Sequence, residues 1–271
     1  MTFSVVARSA DGAGLGVAVA SKFLAVGAAV PAARVGAGAV ATQAMPNLGF
    51  KPEGLARMAA GADARHTLEA LVGADDGRDE RQCGLVDAAG GSATFTGARA
   101  LPWAGGLAAP DVAIQGNILA GPQVVSQMYA AWRATATAPD FAERLVAVLA
   151  AGDAAGGDRR GRQSAALLVV RPAAGYGDDV EVDLRVDDHT DPVAELHRLL
   201  RIHALVHRPP DQADRVALTP ELSARVEAAT RALGHPDLDA WVGTENFELR
   251  VAADHAWMDR RLIRLLGVPL P

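Results

Sequence analysis

The feature that most limits what this chain can become is a repeated pattern of short apolar runs joined by tight, glycine-rich turns. Phe3 to Arg8 and Leu15 to Ala20 flank Asp11-Gly12-Ala13-Gly14, and Gln82 to Asp87 and Ser92 to Thr96 flank Ala88-Ala89-Gly90-Gly91. Runs of this length bounded by turn residues read as β-hairpins, and hairpins pair antiparallel. Further strand-like runs fall at Gly38–Ala44, Asp111–Gln115, Ala165–Arg171 and Val180–Val186. Helical spacing of apolar residues separates them: Leu55, Met58, Ala59 and Ala62, then Leu68 and Leu71, then about 122–133 and 139–151. Asp191-Pro192 opens another helix through about His207, with Asp as N-cap and Pro at the first position. Hairpins, helices, hairpins, helices is the order of an α+β protein, not of a doubly wound parallel sheet.

Composition sets what fills that frame. Alanine occurs 58 times and aromatics make up 4%, so the core must be built from small aliphatic side chains. The net charge of −6 divides equally about Arg208, so neither part has the basic excess that nucleic-acid binding needs. One cysteine, Cys83, excludes an internal disulfide framework and any multi-cysteine metal centre. The apolar stretch Leu15–Ala33 carries Lys22 near its middle, a poor membrane span. Asp11 precedes it and Arg8 sits within a strand, so no signal peptide is read and a cytoplasmic protein is expected. Arg208-Pro209-Pro210-Asp211 reads as a linker, giving domains 1–208 and 209–271, the second small and mostly helical from Thr219-Pro220-Glu221 onward.

The chemistry concentrates at the start. Removal of Met1 would leave Thr2 with an α-amine and a hydroxyl on adjacent carbons, nucleophile and general base in one residue. An α-amine titrates at about 7.7–8.0, and a nearby cation would enlarge its unprotonated fraction at neutral pH. Lys22 is the candidate cation, one of only two lysines beside 24 arginines; equally, it reads as a strand-edge lysine with its stem on apolar surface.

Thr2-Phe3-Ser4-Val5-Val6-Ala7 and Gly16-Val17-Ala18-Val19-Ala20-Ser21-Lys22-Phe23-Leu24-Ala25-Val26-Gly27 resemble the opening of an Ntn-hydrolase-like family of unknown function, DUF1028. The likeness continues in Gly38–Ala44, in Gln115-Gly116-Asn117 with Leu119-Ala120-Gly121, in Gly156–Ser164 and in Asp183–His189, spanning about 2–207. The resemblance implies a four-layer αββα sandwich, with Thr2 as nucleophile and Lys22 as the lysine that tunes it. Asp158 and Ser164, flanking a glycine-rich turn, would orient the Thr2 amine or relay its proton. Gln43, Asn47 and Asn117 at strand ends read as oxyanion or substrate donors, or as turn caps. Arg160, with Arg159 and Arg162, reads as a carboxylate clamp or a solvated loop. Ser21 and Gln163 complete the expected substrate contacts.

Other signals are weaker. Gly36-Ala37-Gly38-Ala39-Val40-Ala41 matches a loose dinucleotide fingerprint, but no helix fits before Pro46. His203 and His207, four apart, have no third ligand in sight, so no metal and no cofactor is expected. Trp241–Arg250 and Trp257-Met258-Asp259 resemble a small C-terminal module of this family to which peptidoglycan binding is ascribed; two tryptophans suit sugar stacking and a small core alike. The expectation is an amidohydrolase acting on a small amide or peptide-like substrate, with a cell-wall fragment as a candidate tail ligand and homo-oligomerisation open. A non-catalytic ligand-binding or scaffold protein on the same sandwich is the alternative.

Overall fold

The computed structural model describes residues 2–270. In chain order its elements are β1 (Thr2–Arg8), β2 (Leu15–Ser21), α1 (Val26–Ala29), β3 (Pro31–Arg34), β4 (Gly38–Ala44), α2 (Phe50–Ala59), α3 (Ala64–Gly73), β5 (Arg81–Asp87), β6 (Ser92–Thr96), β7 (Gly105–Ala109), β8 (Val112–Asn117), α4 (Gln123–Ala134), α5 (Phe141–Ala154), β9 (Ser164–Val170), β10 (Val180–Val186) and α6 (Pro192–His207). They are followed by β11 (Arg215–Ala217), α7 (Pro220–Ala232), α8 (Leu238–Glu245), β12 (Trp257–Asp259) and α9 (Arg260–Leu265). The chain forms two compact units, Met1–Leu200 and Arg201–Pro271.

The first unit holds two antiparallel sheets, one ordered β10-β9-β2-β1-β8-β7 and the other β3-β4-β5-β6. Side chains alternate along each strand, so β1 serves two cores. Phe3, Val5 and Ala7 pack with Met128, Leu145 and Leu149 of α4 and α5, while Val6 meets Ala39, Ala41 and Val86 of the opposite sheet. On the far side of the smaller sheet, Val40 and Leu85 pack with Phe50, Met58, Leu68 and Leu71 of α2 and α3. The result is four layers, αββα. Strands covered on both faces are apolar throughout, which is why β2 reads Leu-Gly-Val-Ala-Val-Ala-Ser with every residue buried.

Small residues bring the sheets close, and between them lies a buried polar seam. Gln82 donates from Nε2 to the carbonyl oxygens of Gly116 (2.8 Å) and Gly105 (3.3 Å), which can only accept. Its Oε1 therefore faces the other way and accepts from Gln43 (2.8 Å) and Asn117 (2.9 Å). Gln43 Oε1 in turn accepts from Ser4 (2.7 Å), whose hydroxyl accepts from Gln115 (2.7 Å). Gly84 makes room: a Cβ there would lie 2.0 Å from Gln115 Oε1. Gly84→Ala is expected to cost about 2–4 kcal/mol through overpacking and a broken buried hydrogen bond, measurable by denaturant unfolding.

The structure adds strands that the sequence pattern does not announce. β3 starts at a proline and is only Pro-Ala-Ala-Arg, and β7 is Gly-Gly-Leu-Ala-Ala; both lie at sheet edges. The dinucleotide-like glycines run into strand β4, not into a helix.

In the second unit, α7, α8 and α9 enclose Leu222, Val226, Trp241, Met258 and Ile263, and β11 pairs with β12. Thr219 caps α7 with Pro220 at its start, as its sequence predicts. The division between units falls within α6, not at Arg208-Pro209-Pro210: Val193, Leu196 and Leu200 belong to the first core, Leu205 and Val206 to the second. Trp241 is buried against Phe247 and the Arg215 guanidinium covers the Trp257 ring at 4.3 Å, so a sugar-stacking face would have to do without Trp241. Among the described residues, no helix is long and apolar enough to cross a membrane.

Candidate functional site

β1 lies between β2 and β8, so Thr2 at its start has a polar neighbour on either side. Asn117 is its direct register partner. One residue beyond the Phe3–Ala20 pair, the Ser21 hydroxyl stands 3.1 Å from Thr2 Oγ1. Ser164 on β9 pairs with Ser21. Asn117, Thr2, Ser21 and Ser164 thus form a row across four neighbouring strands at one end of the larger sheet. Alternation along β1 turns Thr2 to the same side as Ser4 and Val6, toward the other sheet.

The row does two different jobs. Gln43 reaches the Thr2 carbonyl oxygen at 3.4 Å and joins it to the polar seam. Ser164 instead works on the segment after β2: its hydroxyl donates to the Phe23 carbonyl and accepts from the Val26 amide. Asp158, almost fully buried, accepts from the Lys22 amide (2.7 Å) and the Arg160 amide (2.9 Å). Asp158 and Ser164 therefore hold the 22–26 loop at the edge of the row, and among the described residues neither makes a hydrogen bond to Thr2.

Several expected contacts sit elsewhere. Lys22 is exposed, and among the described residues its ammonium makes no hydrogen bond or ion pair; the hydroxyl of Ser21 stands beside that of Thr2. The reason is where β2 stops: Ser21 is its last residue, and the chain leaves the sheet at Lys22. Gln43 is fully engaged in the seam and is no open donor. Asn47 caps the turn into α2 by accepting from Gly49 and donating to Asp75. Arg160 pairs with Asp158, Arg162 with Asp153, and Gln163 donates to Asp188, so the arginine-rich turn braces itself.

Electrostatic shifts lie away from the row. The Arg81 guanidinium, 2.8 Å from Asp75, holds that carboxyl below the ordinary range. A lowered folded-state value adds stability that is complete above the unfolded pKa of about 3.9 and is lost as pH falls through the folded value. Asp75→Asn should therefore lower the melting temperature at neutral pH, with the deficit shrinking below about pH 4, as melts across pH would record. Burial pushes the Cys83 thiol up to about 12, which makes it a core residue and a poor nucleophile. Among the described residues, no group of three or more His, Cys, Asp or Glu is placed to hold a metal ion. The rings of His203 and His207 pack on each other at 4.5 Å, and His197 pairs with Glu143.

Two recesses open near the row. The larger, about 450 Å³, borders Phe3, Ala20, Ser21, Asp158 and Arg162, on the side where Phe3 and Ala20 face the helices. The smaller, about 310 Å³, lies where the ends of β4 and β8 meet, on the side to which Thr2 is turned, and Asn117 lines it.

The first unit is thus a four-layer αββα sandwich with a hydroxyl-bearing residue at the start of a central strand. The chain matches the family of unknown function DUF1028 over residues 2–196 and belongs to it. It is similar to the crystal structure of protein SPO2555 from Silicibacter pomeroyi, of the same family, with 30% identity over 79% of this chain and 92% of that one, at a TM-score of 0.69. No curated protein matches the chain.

The seam residues Ser4, Gln82 and Gln115 escape sequence reasoning as site components. Their only signal is a polar residue inside an otherwise apolar strand.

Proposed function

We propose that this protein is an N-terminal-nucleophile amidohydrolase in which Thr2, once Met1 has been removed, cleaves a small amide. Met1 itself lies outside the described residues. The observation that carries the reading is the buried Thr2–Ser21 hydroxyl pair at the end of β1 and β2. The α-amine of Thr2 takes the hydroxyl proton, directly or through Ser21, as Oγ1 adds to the substrate carbonyl carbon. Asn117 spends one N–H on Gln82, and its second is available to the oxyanion. Collapse breaks the C–N bond, and the leaving amine takes the proton from the α-ammonium. Water, deprotonated by the same amine, then hydrolyses the Thr2 ester and restores the hydroxyl. Lys22 has no part in this scheme; Asp158 and Ser164 act by fixing the loop that follows Ser21.

The solvent-facing Lys22 and the burial of Thr2 favour a second reading, a binding protein that keeps the sandwich without the chemistry. Mass spectrometry of the protein from its native host separates the two. The hydrolase reading expects Met1 to be absent and p-nitrophenyl acetate to leave a single acyl group on Thr2. Retained Met1, or acylation only at surface side chains, would overturn it.

A further inference from the structure

The smaller recess has a character of its own. Its lining includes Ala44, Met45, Leu101 and Ile118 together with Asn117, the register partner of Thr2. Directly opposed antiparallel residues have Cβ atoms about 4.5–5.5 Å apart, so a group seated over Asn117 lies next to the Thr2 hydroxyl. Met45 and Leu101 are 61% and 62% exposed. Large apolar side chains left in water around a concavity signal something that covers them. Among the described lining residues the basic one is Arg99, already approached by Asp79 (3.5 Å) and Glu80 (3.6 Å), and the nearby Arg81, which donates to the Met45 carbonyl, is paired with Asp75. An anionic group would meet these carboxylates without a free cation among the described lining residues to hold it. At about 310 Å³ the recess lies at the lower end of small-molecule sites, about 300–1,000 Å³, and suits one side chain or a short acyl group. Met45 lends the wall an adaptable surface that accepts both branched and flat shapes.

We infer that this recess is the specificity subsite of the reaction: it takes an uncharged apolar side chain or acyl group of the amide whose carbonyl meets Thr2. The larger recess, which Ser21 also borders, is lined by the charged Asp153, Asp158 and Arg162 and does not suit an apolar group. This inference rests on the reading of Thr2 as nucleophile for its chemistry, but not for its test by binding.

The experiment compares N-acetyl-phenylalaninamide, N-acetyl-leucinamide, N-acetyl-glycinamide and N-acetyl-aspartic acid α-amide by calorimetry on the full chain, and on Leu101→Asp and Met45→Asp. Both substitutions fall at exposed positions, so the fold is retained. The phenylalanine and leucine amides are expected to bind about tenfold or more tighter than the glycine amide, and the aspartyl amide no better than glycine. Leu101→Asp or Met45→Asp should erase that preference. Equal or undetectable binding of all four, or a preference that survives both substitutions, would overturn the subsite. Hydrolysis of the matching p-nitroanilides separates the two ideas. Binding preference without Thr2-dependent cleavage rejects the nucleophile and keeps the subsite; Thr2-dependent cleavage without side-chain preference does the reverse.

Discussion

Thr2→Ala is expected to abolish amide hydrolysis, with a fall in kcat on the order of 10⁶-fold, the cost of removing a nucleophile from an otherwise intact site. The substitution removes one hydroxyl and one methyl group at the end of β1. The strand keeps its register with Asn117 and the Gln43 contact to the Thr2 carbonyl oxygen, which is backbone. Folding should therefore survive, and unchanged circular dichroism with lost turnover would locate the defect in chemistry. Thr2→Ser retains a hydroxyl and should keep measurable turnover. Ser21→Ala removes the hydroxyl that stands 3.1 Å from Thr2 Oγ1 and is expected to lower kcat by about 10–100-fold with little change in KM, as for a group that assists proton movement. Hydrolysis by Thr2→Ala at the wild-type rate would reject the assignment.

The second large effect is in the C-terminal unit. Arg250 and Asp259 are both almost fully buried and meet at 2.6 Å. Arg250 also donates to the carbonyl oxygens of Leu205 (2.8 Å) and Ala204, and Asp259 caps α9 through the Arg261 amide (2.8 Å). Burial pulls the Arg250 guanidinium below its ordinary value, and the Asp259 carboxylate opposes that pull. Arg250→Leu leaves a buried carboxylate and two carbonyl oxygens without their donor, so the expected loss is about 3–5 kcal/mol. Hydrogen exchange should show it as lost protection across α8, β12 and α9, with the sandwich strands unaffected. Arg250→Leu combined with Asp259→Leu should recover part of the loss, because the orphaned charge goes with its partner. A loss below 1 kcal/mol would mean that the pair is replaceable by water.

The hairpins and the helices with a clear apolar stripe are legible along the chain because their signal is local. A turn such as Asp11-Gly12-Ala13-Gly14 and a period of 2 or 3.6 are properties of a dozen neighbouring residues. β3 and β7 are not legible in that way: Pro31-Ala32-Ala33-Arg34 and Gly105-Gly106-Leu107-Ala108-Ala109 are poor strand formers that take strand form only beside β4 and β8. The candidate site divides along the same line. Thr2 and Asn117 stand out from sequence as polar residues at the ends of apolar runs, whereas Gln43 and Asn47, alike in that respect, have entirely different fates. Gln43 faces the interior seam and Asn47 a surface turn, and the difference depends on Gln82 and Asp75, some 39 and 28 residues away.

The sequence by itself determined that sheets would be antiparallel, that small side chains would fill the core and that hydroxyl chemistry was available at residue 2. Only the tertiary structure decided which polar groups meet there. Side chains on a strand change face at every residue, so ending β2 at Ser21 presents that hydroxyl to Thr2 and releases Lys22 into solvent. Asn117 reaches the other side of Thr2 only through the pairing of β1 with β8, strands far apart in the chain, whose register no local pattern encodes.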